Sequence, residues 1–377
     1  MSELFHFPLS ASAAPRWVAC AGSVNLCALY PGGETPKSME GTAAHWVASE
    51  TLTNTQPALG SLAPNGVEVT EEMLDGADMY ADNVRAATGH GGVLHVEKTM
   101  GCHTIHSDCG GTPDAWHHDS GNITVWDYKF GHGFVDVFEN QQLIVYAAGI
   151  LELLGVVNGS GKDDSFFTFT FRIVQPRNYH RDGPIREWKV KAVDLRAHFN
   201  ILRAAADAAW LRVDAKCTPG GQCGHCDGRH ACEALQQAGF KGMDFASGST
   251  PLELSNAALG TELTLINHYL ARLEARKTGL EEMAAAQIKS GGVVPGFTLD
   301  STVGRLGWTK PVDEVIALGQ MMGVEVSKPG VITPTQAIKA GLPDTVVAQY
   351  SGRPAGGLKL VASKDAVARR VFGPGAS

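Results

Sequence analysis

The chain has 377 residues, 44% of them hydrophobic, which is enough apolar surface for one large core or two ordinary ones and excludes a disordered chain. A formal net charge of −8 excludes a generic polyanion binder, so any nucleic-acid contact must come from a local patch. No apolar run reaches the roughly 20 residues of a membrane span, and no secretory signal follows Met1. We therefore expect a soluble, cytoplasmic protein without a membrane partner.

In chain order, the sequence predicts helices over residues 16–30, 40–51 and 71–87. After Gly92, short β-rich runs separated by turn residues predict an antiparallel meander. The predicted strands are 93–97, 104–106, 111–116, 123–129, 166–174 and 187–190, and the later helices are 139–154, 192–213 and 252–289.

This order of elements predicts a mixed α/β core. We place the core in residues 1–240, where a cysteine-rich turn at 217–232 closes it. Residues 241–290 are predicted to form a helical connector. Residues 291–377, with short helices at 312–322 and 365–372, are predicted to form a small α-rich C-terminal module, and nothing in the sequence indicates its role or the oligomeric state.

Two acids and a lysine, Asp114, Asp127 and Lys129, lie on consecutive predicted strands. Asp127 and Lys129 are two residues apart, so they project from the same face, and a hairpin can bring Asp114 beside them. Clustered carboxylates are costly unless a cation neutralises them, and hard oxygen ligands suit Mg²⁺ or Mn²⁺. Such an ion can polarise a phosphodiester while Lys129 orients water, which predicts hydrolysis. The alternative is a turn residue beside a solvated strand pair.

Three flanking residues fit the same site. His45 lies on the predicted helix 40–51, and histidine often supplements a carboxylate metal site. Gln142 and Tyr146 are four residues apart on one helix face, so an amide and a phenol can point together at a DNA phosphate or base. The alternative for His45 is a structural histidine whose hydrogen bonds are satisfied inside the fold. The alternative for Tyr146 is a place in the hydrophobic core.

In this order, Gly-x-x-x-His, Gly-Thr-Pro-Asp, Asp-Tyr-Lys and Gln-x-x-x-Tyr resemble the motifs of RecB-type nucleases of the PD-(D/E)XK superfamily. The resemblance implies a restriction-endonuclease-like core, in which a central mixed sheet is flanked by helices. The residues it assigns are His45, Asp114, Asp127 and the carbonyl of Tyr128 for the metal ion, Lys129 for catalysis, and Gln142 and Tyr146 for the substrate strand. Asp127 replaces the more frequent Glu, and Glu97 on the preceding strand is an accessory acid.

Three cysteines form a C-x₂-C-x₅-C run, Cys223, Cys226 and Cys232. A C-x₂-C pair lets two thiolates bind one metal centre from a single turn, so one ligand is still missing. The candidates for the fourth ligand are Cys217, His225 and His230 nearby, and Cys20 far upstream.

One N-terminal cysteine followed by this run is similar to iron–sulfur nucleases of the AddB type and of the CRISPR-adaptation type. The resemblance implies a [4Fe–4S] cluster held by Cys20, Cys223, Cys226 and Cys232, with a structural Zn²⁺ site that uses Cys217 as the alternative. Cys27, Cys102 and Cys109 have no assigned partner.

The pattern from Arg16-Trp17-x-x-Cys20 through the cysteine run resembles a phage and prophage family catalogued as a domain of unknown function. Its members resemble recombination exonucleases. The resemblance implies a Mg²⁺- or Mn²⁺-dependent DNA exonuclease in a bacterial host's cytoplasm, beside a single-strand annealing protein. Two alternatives stay open: a non-catalytic DNA-binding or assembly module with a structural metal–cysteine site, and a structure-specific endonuclease.

A basic stretch at residues 171–191 is the predicted DNA-facing patch, with a solvated strand pair as the alternative. Its members are Arg172, Arg177, Arg181, Arg186, Lys189 and Lys191, with Tyr179 and Trp188 available for stacking.

Overall fold

The computed structural model describes residues 7–53, 55–89, 91–156, 164–178, 180–210, 215–247, 254–297 and 299. The predicted C-terminal module lies outside the described residues from position 300 onward. The elements are β1 (Leu9–Ser10), α1 (Ala14–Ala19), α2 (Ser23–Leu29), α3 (Pro36–Leu52), α4 (Glu71–Thr88), β2 (Val93–Val96), β3 (Met100–Gly101), β4 (Cys109–Gly111), β5 (Ala115–Asp119), β6 (Asn122–Tyr128), α5 (Gln141–Leu153), β7 (Thr168–Val174), β8 (Ile185–Lys191), α6 (Arg196–Trp210), α7 (Glu233–Ser247) and α8 (Asn256–Lys289).

The central sheet has five strands in the order β2-β5-β6-β7-β8. Strands β6 and β7 are parallel because α5 connects them as a crossover, and the other pairs are antiparallel. A two-residue turn joins β5 to β6, with Asp119 opposite Asn122. The prediction of a mixed α/β core, with a central mixed sheet flanked by helices, is confirmed.

Helices cover both faces of the sheet, because successive strand residues point to opposite sides. Trp126 and Tyr128 pack with α3 and α4 in one hydrophobic cluster. Ile123 and Val125 pack with α5 and α6 in the other. Thr35 caps the N-terminus of α3, because its hydroxyl accepts a hydrogen bond from Ser38 N at 3.1 Å.

A second, small sheet contains β1, β4 and β3, and it corrects two sequence predictions. Residues 104–106 form a turn rather than a strand, since Ile105 N donates to Cys102 O at 3.0 Å. The predicted strand 111–116 is interrupted at 112–114, so its halves belong to different sheets. Pro113 lacks a backbone donor, which explains the interruption.

Three helix predictions also need correction. The predicted helix 16–30 is two short helices, because Cys20 adopts an extended conformation with φ −146° and ψ 96°. Helix α6 begins at Arg196, after a 3₁₀ turn over Ala192–Leu195, whereas the prediction began it at 192; residues 211–213 of the predicted helix lie outside the described residues. Helix α7 was not predicted, and it runs through position 240, where we placed the end of the core. In the described part of the chain, no helix is long and apolar enough to cross a membrane.

Candidate active site

Three acids form a row across three neighbouring strands at one end of the central sheet. Val96 pairs with Ala115, and Ala115 pairs with Trp126. One register step further, Glu97 N donates to Asp114 O at 3.1 Å, and Asp114 faces Asp127. The sheet register therefore brings together carboxylates that are far apart in the sequence.

Helix α3 supplies an imidazole to this row. The Nδ1 atom of His45 lies 2.9 Å from Asp114 Oδ1, and Tyr128 N donates to Asp114 Oδ2 at 2.6 Å. An ionised carboxylate can only accept, so Nδ1 carries the proton in this arrangement. The two predicted ligands His45 and Asp114 are thus in direct contact.

Lys129 lies on the opposite side of the row, held by two partners. Its Nζ atom donates to Asp127 Oδ1 at 3.0 Å and to Gln142 Oε1 at 3.2 Å. Gln142 Nε2 also donates to Asp127 Oδ1 at 2.9 Å. Helix α5, whose first turn is capped by the side chain of Asn140, therefore fixes the ammonium group on Asp127.

Tyr146 completes this network inside the protein. It is only 3% exposed, accepts from Gln142 Nε2 at 3.0 Å, and donates to the carbonyl of Thr112 at 3.0 Å. A Cβ atom at Gly111 would lie 2.9 Å from Tyr146 Cε1, so the Gly-Thr-Pro-Asp turn needs glycine at its first position. The tyrosine thereby positions the turn that carries Asp114.

Burial and neighbouring charges together set the pKa values of the groups in this row. Burial opposes ionisation of Asp114, but His45, Lys129 and the Tyr128 amide hold the pKa of Asp114 below its usual value. Burial raises the pKa of Asp127, and Lys129 opposes that rise. Burial would lower the pKa of Lys129, yet Asp127 and Asp114 raise it, so the ammonium stays charged.

One group of possible metal ligands stands out among the described residues. The ligand atoms of His45, Glu97 and Asp114 all lie within 4.8 Å of one another. Asp127 is not part of this group, because its carboxylate is turned to Lys129 and Gln142. The expected contributions of Asp127 and of the Tyr128 carbonyl to a metal site stay predictions.

The cysteine run folds against the N-terminal helices. The side chains of Cys20, Cys217, Cys223, Cys226 and Cys232 line one cavity of about 10 Å³. Cys27 lies beside it, with its Sγ 3.6 Å from Cys226 Sγ.

The thiols at the cavity affect one another's ionisation. Burial and the neighbouring Cys232 and Cys20 raise the pKa of Cys217 to about 12. A hydrogen bond from Cys226 lowers the pKa of Cys27 to about 6.

Backbone and arginine contacts hold the two ends of the core together at this point. Gly22 N donates to Lys216 O at 3.0 Å, and Thr218 N donates to Cys20 Sγ at 3.2 Å. Arg16 donates to His225 O at 2.9 Å. Residues 16–22 and residues 216–225 are therefore neighbours.

The predicted basic patch is largely used inside the protein. Arg172 pairs with Glu187 at 2.8 Å, and Arg177 pairs with Glu72 at 2.6 Å as well as with Glu40. Arg186 is buried and donates to Gln175 Oε1 at 2.6 Å. Trp188 packs against the core rather than offering a free face. Tyr179 lies outside the described residues, so only Arg181, Lys189 and Lys191 fit the prediction as exposed bases.

Residues 6–366 match the family described as "Protein of unknown function (DUF2800)". The chain belongs to the DUF2800 family. The expected membership in a family of unknown function is confirmed, and the DUF2800 match extends over both the acidic row and the cysteines.

Two solved structures are similar to this DUF2800 chain. "Crystal Structure of LHK-Exo in complex with dAMP" has 13% identity and a TM-score of 0.25, covering 53% of this chain and 92% of that one. "Crystal structure of SSO0001" has 12% identity and a TM-score of 0.29, covering 62% of this chain and 90% of that one. These TM-scores are too low for either similarity to support an argument about fold or chemistry.

The structure of the DUF2800 chain brings His45, Asp114, Asp127, Lys129 and Gln142 together, and some of their contacts were not expected from the sequence. The sequence indicated Glu97 only as an accessory acid, although the register places that residue opposite Asp114. The hydroxyl of Tyr146, predicted as a substrate contact, is bonded to Gln142 and to the carbonyl of Thr112, and the substrate role of Tyr146 stays a prediction. The apolar run over residues 143–151 was the sequence signal that Tyr146 is buried inside the protein.

Proposed function

We propose that this protein is a metal-dependent deoxyribonuclease that hydrolyses DNA from its ends. The observation that carries the proposal is the convergence of His45, Asp114, Asp127 and Lys129, brought by one helix and two strands to the same end of the sheet. The order of the four motifs resembles RecB-type nucleases, and the contacts support the roles of His45 and Asp114 at a metal ion and of Lys129 in catalysis. The low-similarity structures contribute nothing to this proposal.

The donor set fits a hard divalent ion, Mg²⁺ or Mn²⁺, because it combines carboxylates with one imidazole. His45 and Asp114 would hold the ion, with Asp127 and the Tyr128 carbonyl as further ligands that the resemblance implies. When bound, the ion supplies a Lewis acid that polarises the phosphodiester and lowers the pKa of a water molecule. DNA is the proposed partner.

The protein's own groups supply orientation and charge. Lys129 is held by Asp127 and Gln142, so its ammonium can orient the attacking water and stabilise negative charge on the phosphate. Gln142 and Tyr146 act by positioning, since the first anchors Lys129 and the second anchors the turn of Asp114. Both therefore act through other residues instead of binding the substrate strand.

Digestion of linear and closed circular DNA tests this proposal. With Mg²⁺ or Mn²⁺ we expect nucleotides to be released from linear DNA and circles to remain intact. Asp127→Ala and Lys129→Ala should abolish release while keeping a wild-type circular dichroism spectrum. Cleavage of circles would favour the structure-specific endonuclease. DNA binding without release, unchanged in both variants, would favour the non-catalytic module.

We also propose that the thiols bind a metal centre that ties the start of the core to its end. Five cysteines lining one cavity fit a thiolate centre, and the resemblance implies a [4Fe–4S] cluster on Cys20, Cys223, Cys226 and Cys232. A phage annealing protein as partner rests on the resemblance alone.

Metal and sulfide analysis of anaerobically purified protein tests the cysteine centre. We expect four irons and four sulfides per chain, lost in Cys20→Ser and retained in the matched variant Cys27→Ser. One zinc per chain, lost in Cys217→Ser, would contradict the cluster and support the structural Zn²⁺ site.

A further inference from the structure

Glu97 lies directly after β2 and outside the four motifs of the proposed active site. It follows the last paired residue of that strand and continues the ladder, since its amide donates to Asp114 O. The ligand oxygens of Glu97 and Asp114 lie within 4.8 Å of each other, so the two carboxylates are neighbours. None of the four motifs includes this residue.

We infer that Glu97 is a metal ligand, completing with His45 and Asp114 a three-residue cation site on the α3 side of the acidic row. The inference rests on the proposed function, because it adds a ligand to the same site. A ligand role for Glu97 leaves the proposed ligand role of Asp127 unchanged, because Asp127 lies on the other side of Asp114. Asp114, the middle acid, is the residue that both sides share.

The first argument is the chemistry of the group. Its three ligand atoms lie within 4.8 Å of one another, and they come from three separate elements: α3, the end of β2 and the start of β5. The set is an imidazole with two carboxylates rather than acids alone. Imidazole suits transition metals and carboxylate suits hard cations, a combination that fits Mn²⁺.

The second argument is the charge balance without an ion. Lys129, which neutralises Asp127, is on the opposite side of the row, and the described structure pairs Glu97 with no lysine or arginine. Asp114 and Glu97 are like charges side by side, which is unfavourable until a cation lies between them. A bound divalent ion removes that repulsion.

Isothermal titration with MnCl₂ of the full-length protein, purified anaerobically with its cysteine centre intact and dialysed free of Mg²⁺ and Mn²⁺, tests the inference. We expect Glu97→Gln, which keeps the side-chain length and removes the charge, to lose one Mn²⁺ per chain or to weaken Mn²⁺ binding by at least tenfold. Asp119→Asn, an exposed acid at the far end of β5, is the matched control and should bind as the wild type does. Unchanged Mn²⁺ binding by Glu97→Gln would overturn the inference.

Thermal unfolding separates ligand loss from misfolding. Glu97 has a positive φ of 48°, so we include Glu97→Asn, because asparagine tolerates that conformation. In EDTA both variants should melt no lower than the wild type, since a repulsive charge is gone, and in MnCl₂ both should show a smaller rise in Tm. An equal rise in Tm in all proteins would contradict the inference.

The outcomes for Glu97 and for the proposed function are distinguishable. If Glu97→Gln loses Mn²⁺ but the wild type releases no nucleotides from DNA, the metal site stands and the nuclease proposal fails. If the wild type digests DNA and Glu97→Gln binds Mn²⁺ normally, the nuclease stands and Glu97 is not a ligand.

Discussion

Lys129 has its ammonium group held by a carboxylate and an amide, and that geometry explains why Gln142 belongs to the site. The amide oxygen accepts from Lys129 while the amide nitrogen donates to Asp127. The amide oxygen and the amide nitrogen of Gln142 thus both have partners inside the protein. Gln142 acts by keeping Lys129 in place.

Replacing Gln142 with Ala should therefore lower kcat and leave KM unchanged. We expect a loss of about 10- to 100-fold in kcat for nucleotide release, because a misplaced catalytic group costs rate rather than substrate binding. Steady-state kinetics on linear DNA measure this. A rise in KM at constant kcat would show that Gln142 contacts the substrate strand.

Tyr146→Phe tests the second positioning contact. The change removes a buried hydroxyl and leaves the carbonyl of Thr112 without its donor. We expect the free energy of unfolding to fall by about 1–3 kcal/mol, measured by urea denaturation. Tyr30→Phe, at a residue that is 40% exposed, should change it by less than about 0.5 kcal/mol. Equal effects for the two would argue against a buried anchor.

At the scale of elements, α5 fixes the site because it packs closely on the small sheet. A Cβ atom at Gly149 would lie 2.8 Å from Cys102 Sγ and 2.9 Å from the carbonyl of Gly101. Helix α3, on the other face, has an open side at Gly41, where a Cβ would meet nothing within 4 Å. The same substitution should therefore have opposite effects in the two helices.

Gly149→Ala should destabilise the protein by about 1–3 kcal/mol, because overpacking outweighs the gain in helix propensity. Gly41→Ala should be neutral or stabilising by up to about 1 kcal/mol. Urea unfolding of both variants provides the comparison. A stabilised Gly149→Ala protein would show that α5 can shift away from the sheet at little cost.

The sequence predicted the elements better than their contacts. The hairpin that aligns Asp114 with Asp127 was predictable, because strand alternation and a short turn are local signals. His45 reaches Asp114 only through packing of α3 on the sheet, which no local pattern specifies. The ion pairs of Arg177 in the predicted basic patch were unpredictable for the same reason, since its acidic partners are more than 100 residues away in the sequence.

At the scale of the whole molecule, the cysteines of the proposed metal centre bring the two ends of the core together. Cys20 and Cys223 are 203 positions apart (223 − 20), and hydrogen bonds already hold both ends together. A metal centre across so long a segment restricts the unfolded chain, by analogy with a disulfide.

Loss of the metal centre should lower the free energy of unfolding by about 4–5 kcal/mol. Anaerobic urea denaturation of the metal-loaded wild type against Cys20→Ser measures the difference, with Cys27→Ser as the matched control. An unchanged midpoint in Cys20→Ser would show that the hydrogen bonds alone join the ends.

In the proposed active site, an imidazole, the carboxylates and an ammonium group converge to hydrolyse DNA with a divalent ion. The most direct measurement of this hydrolysis is the rate at which the wild type and Asp114→Asn release acid-soluble nucleotides from linear duplex DNA, with MnCl₂ and with EDTA. We predict release by the wild type only with Mn²⁺, and a rate at least about 100-fold lower in Asp114→Asn. Release in EDTA, or an undiminished rate in Asp114→Asn, would contradict the account.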